Sequence, residues 1–99
     1  MELPINKFNK AFENRIRLGV MSILMVNDWV DFSTLKEMLE LTDGNLASHI
    51  KALEVEQYIE VNKRFINKKP NTSYRATFLG RNAFKEHLNV LENIIKQNE

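Results

Sequence analysis

Apolar residues in the first quarter of the chain return at helical intervals. Phe8, Phe12, Ile16, Val20, Ile23 and Leu24 are spaced by four, four, four, three and one, which predicts a helix over about 8–26. Gly19 inside it costs roughly 1 kcal/mol relative to alanine, a cost that close packing against another backbone explains. Asn27-Asp28 ends the pattern, and Trp29-Val30-Asp31-Phe32 is short, apolar and β-prone. A brief helix follows, with Leu35, Met38 and Leu39 as its buried face. Ser33 or Thr34 can cap it, and Thr34-x-x-Glu37 has the capping-box spacing. Thr42 offers the next cap, Asp43 suits the positive end of the helix dipole, and Leu46, Ile50 and Leu53 form an i, i+4, i+7 stripe. Two short helices joined by so few residues, over about 33–56, make a helix-turn-helix.

Beyond Glu56 the period changes from 3.6 to 2. Ile59, Val61 and Phe65 alternate with Glu60, Asn62 and Arg64, which reads as a strand. Asn67-Lys68-Lys69-Pro70-Asn71 interrupts it, because Pro70 donates no ladder bond and holds Lys69 extended. Alternation resumes from Ser73 to Phe78, with Tyr74, Ala76 and Phe78 on one side, so that about 58–78 forms a β-hairpin with a cationic tip. Thr77 can cap a last helix over about 78–96, whose Phe84, Leu88, Leu91 and Ile95 step by four, three and four like a coiled-coil seam. The expected class is mainly α with a small β-hairpin: helix, strand, two short helices, strand, loop, strand, long helix, as one domain over 1–99.

Charge adds what periodicity leaves out. The net charge is +1, but residues 27–60 carry −6, whereas 61–85 hold Lys63, Arg64, Lys68, Lys69, Arg75, Arg81 and Lys85 without one acid. Such a block is either the footprint of a polyanion site or a solvated hairpin that balances the acidic middle. With no cysteine, and with His49 and His87 far apart, no metal or cofactor is expected. No Gly-rich phosphate loop, ordered Ser/His/Asp set or paired-carboxylate motif suggests an enzyme. No signal peptide or membrane span is expected either, and the cytoplasm is the expected location.

The third helix presents Asn45, Ser48 and Lys51 away from its apolar stripe, with His49 at the margin. Small polar groups on an exposed helix suit the major groove, where Asn pairs with adenine, although ordinary surface helices carry them too. His49 can instead be a boundary residue packed on the second helix. In the hairpin, Lys68 and Lys69 at the tip, flanked by Arg64 and Arg75, are placed for phosphates or a minor groove, or simply keep a sheet edge soluble.

Two runs carry a family resemblance. Leu41-Thr42-Asp43-Gly44-Asn45-Leu46-Ala47-Ser48-His49-Ile50-x-x-Leu53-Glu54 resembles the recognition helix of small prokaryotic winged-helix regulators of the MarR and ArsR group. Lys63-x-Phe65-x-x-Lys68-Lys69-Pro70-x-Thr72-x-Tyr74-x-x-Thr77-x-x-Gly80-Arg81-x-Ala83-Phe84 is similar to their hairpin "wing" and the start of their last helix. The resemblance implies a winged helix-turn-helix that binds double-stranded DNA through Thr42, Gly44, Asn45, Ser48, His49 and Lys51, and through Arg64, Lys68, Lys69, Thr72 and Arg75 of the wing. Gln57 stands where these proteins usually have glycine, so it must accept a positive φ or the helix must end differently. Ala76 replaces a common leucine, and the metal boxes of ArsR-type sensors are absent.

The outer helices carry more apolar surface than a small core covers. Phe8, Phe12 and Ile16 with Phe84, Leu88, Leu91 and Ile95 are expected to form a two-fold homodimer, although part of each stripe packs within the chain. A dimer would set two recognition helices about one DNA turn apart. The resulting expectation is a transcriptional regulator, in the commoner arrangement a repressor, with an unidentified small effector between the helix-turn-helix and the outer helices. The alternative is a winged helix used for protein interaction.

Overall fold

Two asparagines decide how the chain begins. In the computed structural model, which describes residues 5–97, the Asn9 side chain accepts the Ala11 N–H at 2.9 Å, and Asn14 accepts those of Ile16 and Arg17 at 2.9 and 3.1 Å. After a first 3-10 turn at Ile5–Lys7, the helix expected over 8–26 is therefore a second 3-10 turn, Lys10–Phe12, followed by α1 at Arg15–Val26. A side-chain amide that bonds the backbone two or three residues ahead starts a helix and interrupts one already running.

Strand β1 is only Val30–Asp31, and α2 follows at once as Phe32–Leu39. Asp31 occupies its N-cap position with no side-chain cap bond, so the capping box at Thr34 and Glu37 is not formed. Leu35 is fully buried and Leu39 half-buried, but Met38 is exposed, contrary to the expected buried face. A Cβ on Gly19 would lie 2.8 Å from a Leu39 methyl, so α1 approaches a side chain of α2 there and not its backbone. Glu40, left-handed at φ 54°, turns the chain towards α3, Asp43–Val55. Thr42 accepts the Asn45 N–H at 3.3 Å as the expected cap, and Lys36 reaches Asp43 at 2.8 Å across the turn.

The end of α3 resolves the position of Gln57. Its φ is 63°, the Tyr58 N–H bonds the Leu53 carbonyl at 3.0 Å, and the Gln57 N–H bonds that of Glu54 at 2.9 Å. This is a Schellman ending with glutamine in the glycine position. Tertiary bonds hold it: Thr77 donates its hydroxyl to the Gln57 carbonyl at 2.7 Å, and its N–H to that of Tyr58 at 3.0 Å. The same hydroxyl accepts the Gly80 N–H at 2.9 Å and caps α4, Phe78–Gln97. A Cβ on Gly80 would lie 2.8 Å from the Tyr58 carbonyl carbon, so glycine is what lets α4 come this close.

Strands β2 (Ile59–Ile66) and β3 (Lys69–Ala76) pair antiparallel along their whole length, and β1 completes the sheet in the order β1-β3-β2. The five-residue loop expected at 67–71 shrinks to Asn67-Lys68, at φ 52° and 65°. Two successive positive φ values mark the two-residue turn whose twist matches that of paired strands. Pro70 lies inside β3 opposite Phe65, beyond the reach of β1, where a missing N–H is tolerated. Phe78 has left the sheet and lies exposed at the start of α4.

Val20, Met21 and Leu24 of α1, Leu35 of α2, Leu46, Ile50 and Leu53 of α3, and Tyr74 and Ala76 of β3 meet in one core. Phe12 and Phe84, expected at a dimer interface, belong to it as well, their rings edge to face at 5.1 Å. Beside them, the buried His87 accepts the Asn9 N–H on Nδ1 at 3.1 Å, and the Asn9 amide donates to the Tyr58 hydroxyl at 2.9 Å. The N-terminal turns are thereby pinned to α4 and to the end of α3.

Candidate nucleic-acid interface

Burying Leu46, Ile50 and Leu53 leaves the other side of α3 in solvent. Thr42, Asp43, Gly44, Asn45, Ala47, Ser48 and Lys51 are all exposed, and nothing lies within 4 Å of a Cβ built on Gly44. Ser48 donates its hydroxyl to the Asn45 carbonyl at 3.1 Å, which leaves its oxygen lone pairs outward. His49 is half-buried, with Nδ1 3.1 Å from Nη1 of Arg17. A guanidinium only donates, so Nδ1 accepts and the ring proton is on Nε2. His49 is thus a boundary residue, but its partner is on α1 and not on α2. Arg17 also donates to the carbonyls of Ala11 at 2.7 Å and Lys10 at 3.4 Å, so one side chain joins the N-terminal turns, α1 and α3.

Strand alternation sorts the hairpin into two faces. Val61, Lys63 and Phe65 are in register with Tyr74, Thr72 and Pro70, and this ladder faces α3. Between the two runs a groove of about 550 Å³, bordered by Ser33, Ala47 and Lys51 on the helical side and by Lys63, Thr72 and Tyr74 on the sheet. The carboxylates of Asp31 and Glu54 border it as well. Burial, and then the Glu54 carboxylate, push the Tyr74 phenol above its ordinary pKa, which keeps its O–H a donor at the groove floor.

On the opposite face, the charge near the root of the hairpin is used internally. Arg75 forms an ion pair with Glu60, lies 3.7 Å from Asp28, and stacks 4.6 Å from the centre of the Trp29 ring. The Arg75 guanidinium, expected at a phosphate, is engaged within the chain on the side away from α3. Arg81 is likewise occupied, donating to the carbonyls of Met25 at 3.2 Å and Leu24 at 3.4 Å at the end of α1. Arg64 is exposed on the same side as Arg75 and donates to Asn71 at 3.4 Å, while Lys68 and Lys69 are exposed at the tip. Of the seven bases in the acid-free block, Lys63, Arg64, Lys68 and Lys69 remain as the outward charge of the hairpin. Lys63 and Ser33 were not among the expected site residues; the period-2 pattern that puts Val61 inward also assigns Lys63 to the groove.

A helix-turn-helix whose second helix stands outward beside a cationic two-stranded hairpin defines a DNA-binding class of fold. The chain belongs to the winged helix DNA-binding domain family, whose model matches residues 16–95. It is 37% identical over 79 residues to an uncharacterized protein of Methanocaldococcus jannaschii, spanning 80% of this chain and 86% of that one. The structure is similar to that of a transcriptional regulator homologue from Pyrococcus horikoshii, at a TM-score of 0.82 and 32% identity over 90% of this chain and 88% of that one. The ytfH protein of Salmonella typhimurium shares the fold, at a TM-score of 0.73 and 21% identity over 96% of this chain and 83% of that one. Among the described residues no helix is long and apolar enough to cross a membrane.

Proposed function

We propose that the protein is a transcriptional regulator of the MarR-like type that binds double-stranded DNA as a homodimer, without catalysis, and represses by occupying promoter DNA. The observation that carries this reading is the pairing of an exposed polar face on α3, Thr42, Gly44, Asn45, Ser48 and Lys51, with an exposed cationic hairpin whose Lys63 shares one groove with Lys51. Thr42, Gly44, Asn45, Ser48 and Lys51 enter the major groove, with Asn45 and Ser48 reading base edges. Lys63, Thr72, Arg64, Lys68 and Lys69 bind phosphates and supply most of the affinity. The dimer forms on the surface of α4 that the chain leaves open, where Leu88, Leu91 and Ile95 are 44%, 41% and 62% exposed. Phe8 and Ile16, both half-buried within the chain, contribute little area.

Selection of bound sequences from a random duplex pool tests the reading, because it reports motif, symmetry and half-site spacing together. An inverted repeat with half-sites about one helical turn apart is expected. No retention of duplex DNA even at low salt would overturn DNA binding and favour a protein-interaction module. Sedimentation as a monomer at micromolar concentration would overturn the dimer.

A further inference from the structure

We infer that the wing tip carries an apolar wedge, Phe65, that enters the minor groove beside the site read by α3 and unstacks a base step there. This inference rests on the DNA-binding reading above and deepens it.

Phe65 is 77% exposed near the end of a hairpin, where no other part of the chain covers it. Its register places it: Val61, Lys63 and Phe65 project from one face of β2, and the first two border the groove shared with α3. Phe65 is the next outward step of the same ladder, opposite Pro70, so ring and pyrrolidine form a small apolar tip on the DNA side. Ile66 alternates to the other face with Arg64 and belongs to a different surface.

The surroundings select the occupant. Arg64, Lys68 and Lys69, all exposed, flank the ring within a few residues of sequence, and the hairpin from Val61 to Lys69 contains no acid. An apolar protein surface would have to desolvate those cations, whereas a duplex offers phosphates to them and an apolar stack to the ring. The backbone is also prepared. Eight register pairs and a two-residue turn hold Phe65 in place, so little conformational freedom is lost on insertion. Strands of eight residues extend roughly 26 Å, long enough to pass a phosphate ridge while α3 occupies the neighbouring major groove. Flexible pyrimidine–purine steps open at least cost, so the wedge gives preference for such a step at a flanking position that α3 does not touch.

The test uses the full chain and a duplex recovered by selection with the wild-type protein. It reads affinity as a function of salt, the bend by end-to-end energy transfer, and unstacking by 2-aminopurine placed at the flanking steps. Wild-type protein is expected to bend the duplex and raise 2-aminopurine fluorescence at one flanking step. F65A is expected to lose affinity by about 10-fold, in the range of base–aromatic contacts, to lose the fluorescence rise and most of the bend, and to keep the salt slope. F65L, still apolar, is expected to retain most of the bend. Because the side chain is exposed, F65A should melt with the wild type, which separates a lost wedge from a lost fold. Equal affinity and bend for F65A and wild type would overturn the wedge while leaving DNA binding intact. A changed oligomeric state in F65A would also overturn it, by making the tip a contact between protein chains. If wild-type protein binds no duplex at any salt, the functional reading itself fails.

Discussion

The two faces of one hairpin put the same kind of residue to opposite uses. Lys63 and Arg75 lie on neighbouring antiparallel strands and both come from the acid-free block. Lys63 projects beside α3 with no ion-pair partner among the described residues, whereas Arg75 meets Glu60, Asp28 and the face of Trp29. Strand parity makes the difference, since a shift of one residue exchanges the faces. The fold therefore ties up some cations of the basic block within the chain and leaves others in solvent, a sorting that net charge alone does not show.

That contrast breaks most completely if the joint behind it is opened. Gly80→Ala would drive a methyl into the Tyr58 carbonyl and displace α4 from the root of the hairpin. A loss of about 3 kcal/mol is expected, at the upper end for overpacking, and thermal melting would show it; an unchanged Tm would mean that the close approach is not rigid. Next comes the charge itself. The double variant Lys63→Ala, Lys68→Ala should weaken binding to all duplexes and lower the slope of log K against log salt by about two. Titrations at several salt concentrations measure this, and an unaltered slope would remove the hairpin from the site. Arg75→Ala sharpens the comparison from the other side. It should leave the salt slope as in the wild type and cost about 1 kcal/mol of stability, modest because Arg75 and both acids are substantially exposed. A reduced slope would show that Arg75 leaves its partners to bind phosphate. The smallest effect is expected at Gln57→Gly, which relieves a left-handed side chain and should stabilise by about 0.5–1 kcal/mol. A higher denaturation midpoint with unchanged DNA affinity is the expected result.

Much of this architecture was legible in the residues, and the misses have physical causes. Period 3.6 found the stripe of α3, period 2 found the hairpin, and Thr42 and Thr77 were visible as caps because a cap acts within three residues. A positive φ at Gln57 is one of the two endings that the residues allow for α3, and the bonds from Thr77 select it. The apolar spacing overextends the N-terminal helix because Asn9 and Asn14 look like ordinary polar positions, whereas in the fold their side chains bond the backbone ahead. The reverse error occurred at α2, where Ser33 and Thr34 have the chemistry of caps but the helix already begins at Phe32. Pro70 reads as a break in the sequence because its tolerance inside β3 depends on how far β1 extends. Phe12 and Phe84 were expected to face a second copy, but two aromatics so distant in sequence meet only when the N-terminal turns fold back onto α4.

From the sequence alone came the order of the elements, the polar face of α3 and the concentration of positive charge downstream of it. Those features arise from contacts within a turn of helix or a pair of strand residues, so composition and spacing carry them. The tertiary structure alone decided which charges stay free and which apolar stripes are spent inside the chain. Pairing Arg75 with Glu60 or placing Phe12 on Phe84 requires register and packing between distant segments, and no local pattern encodes either.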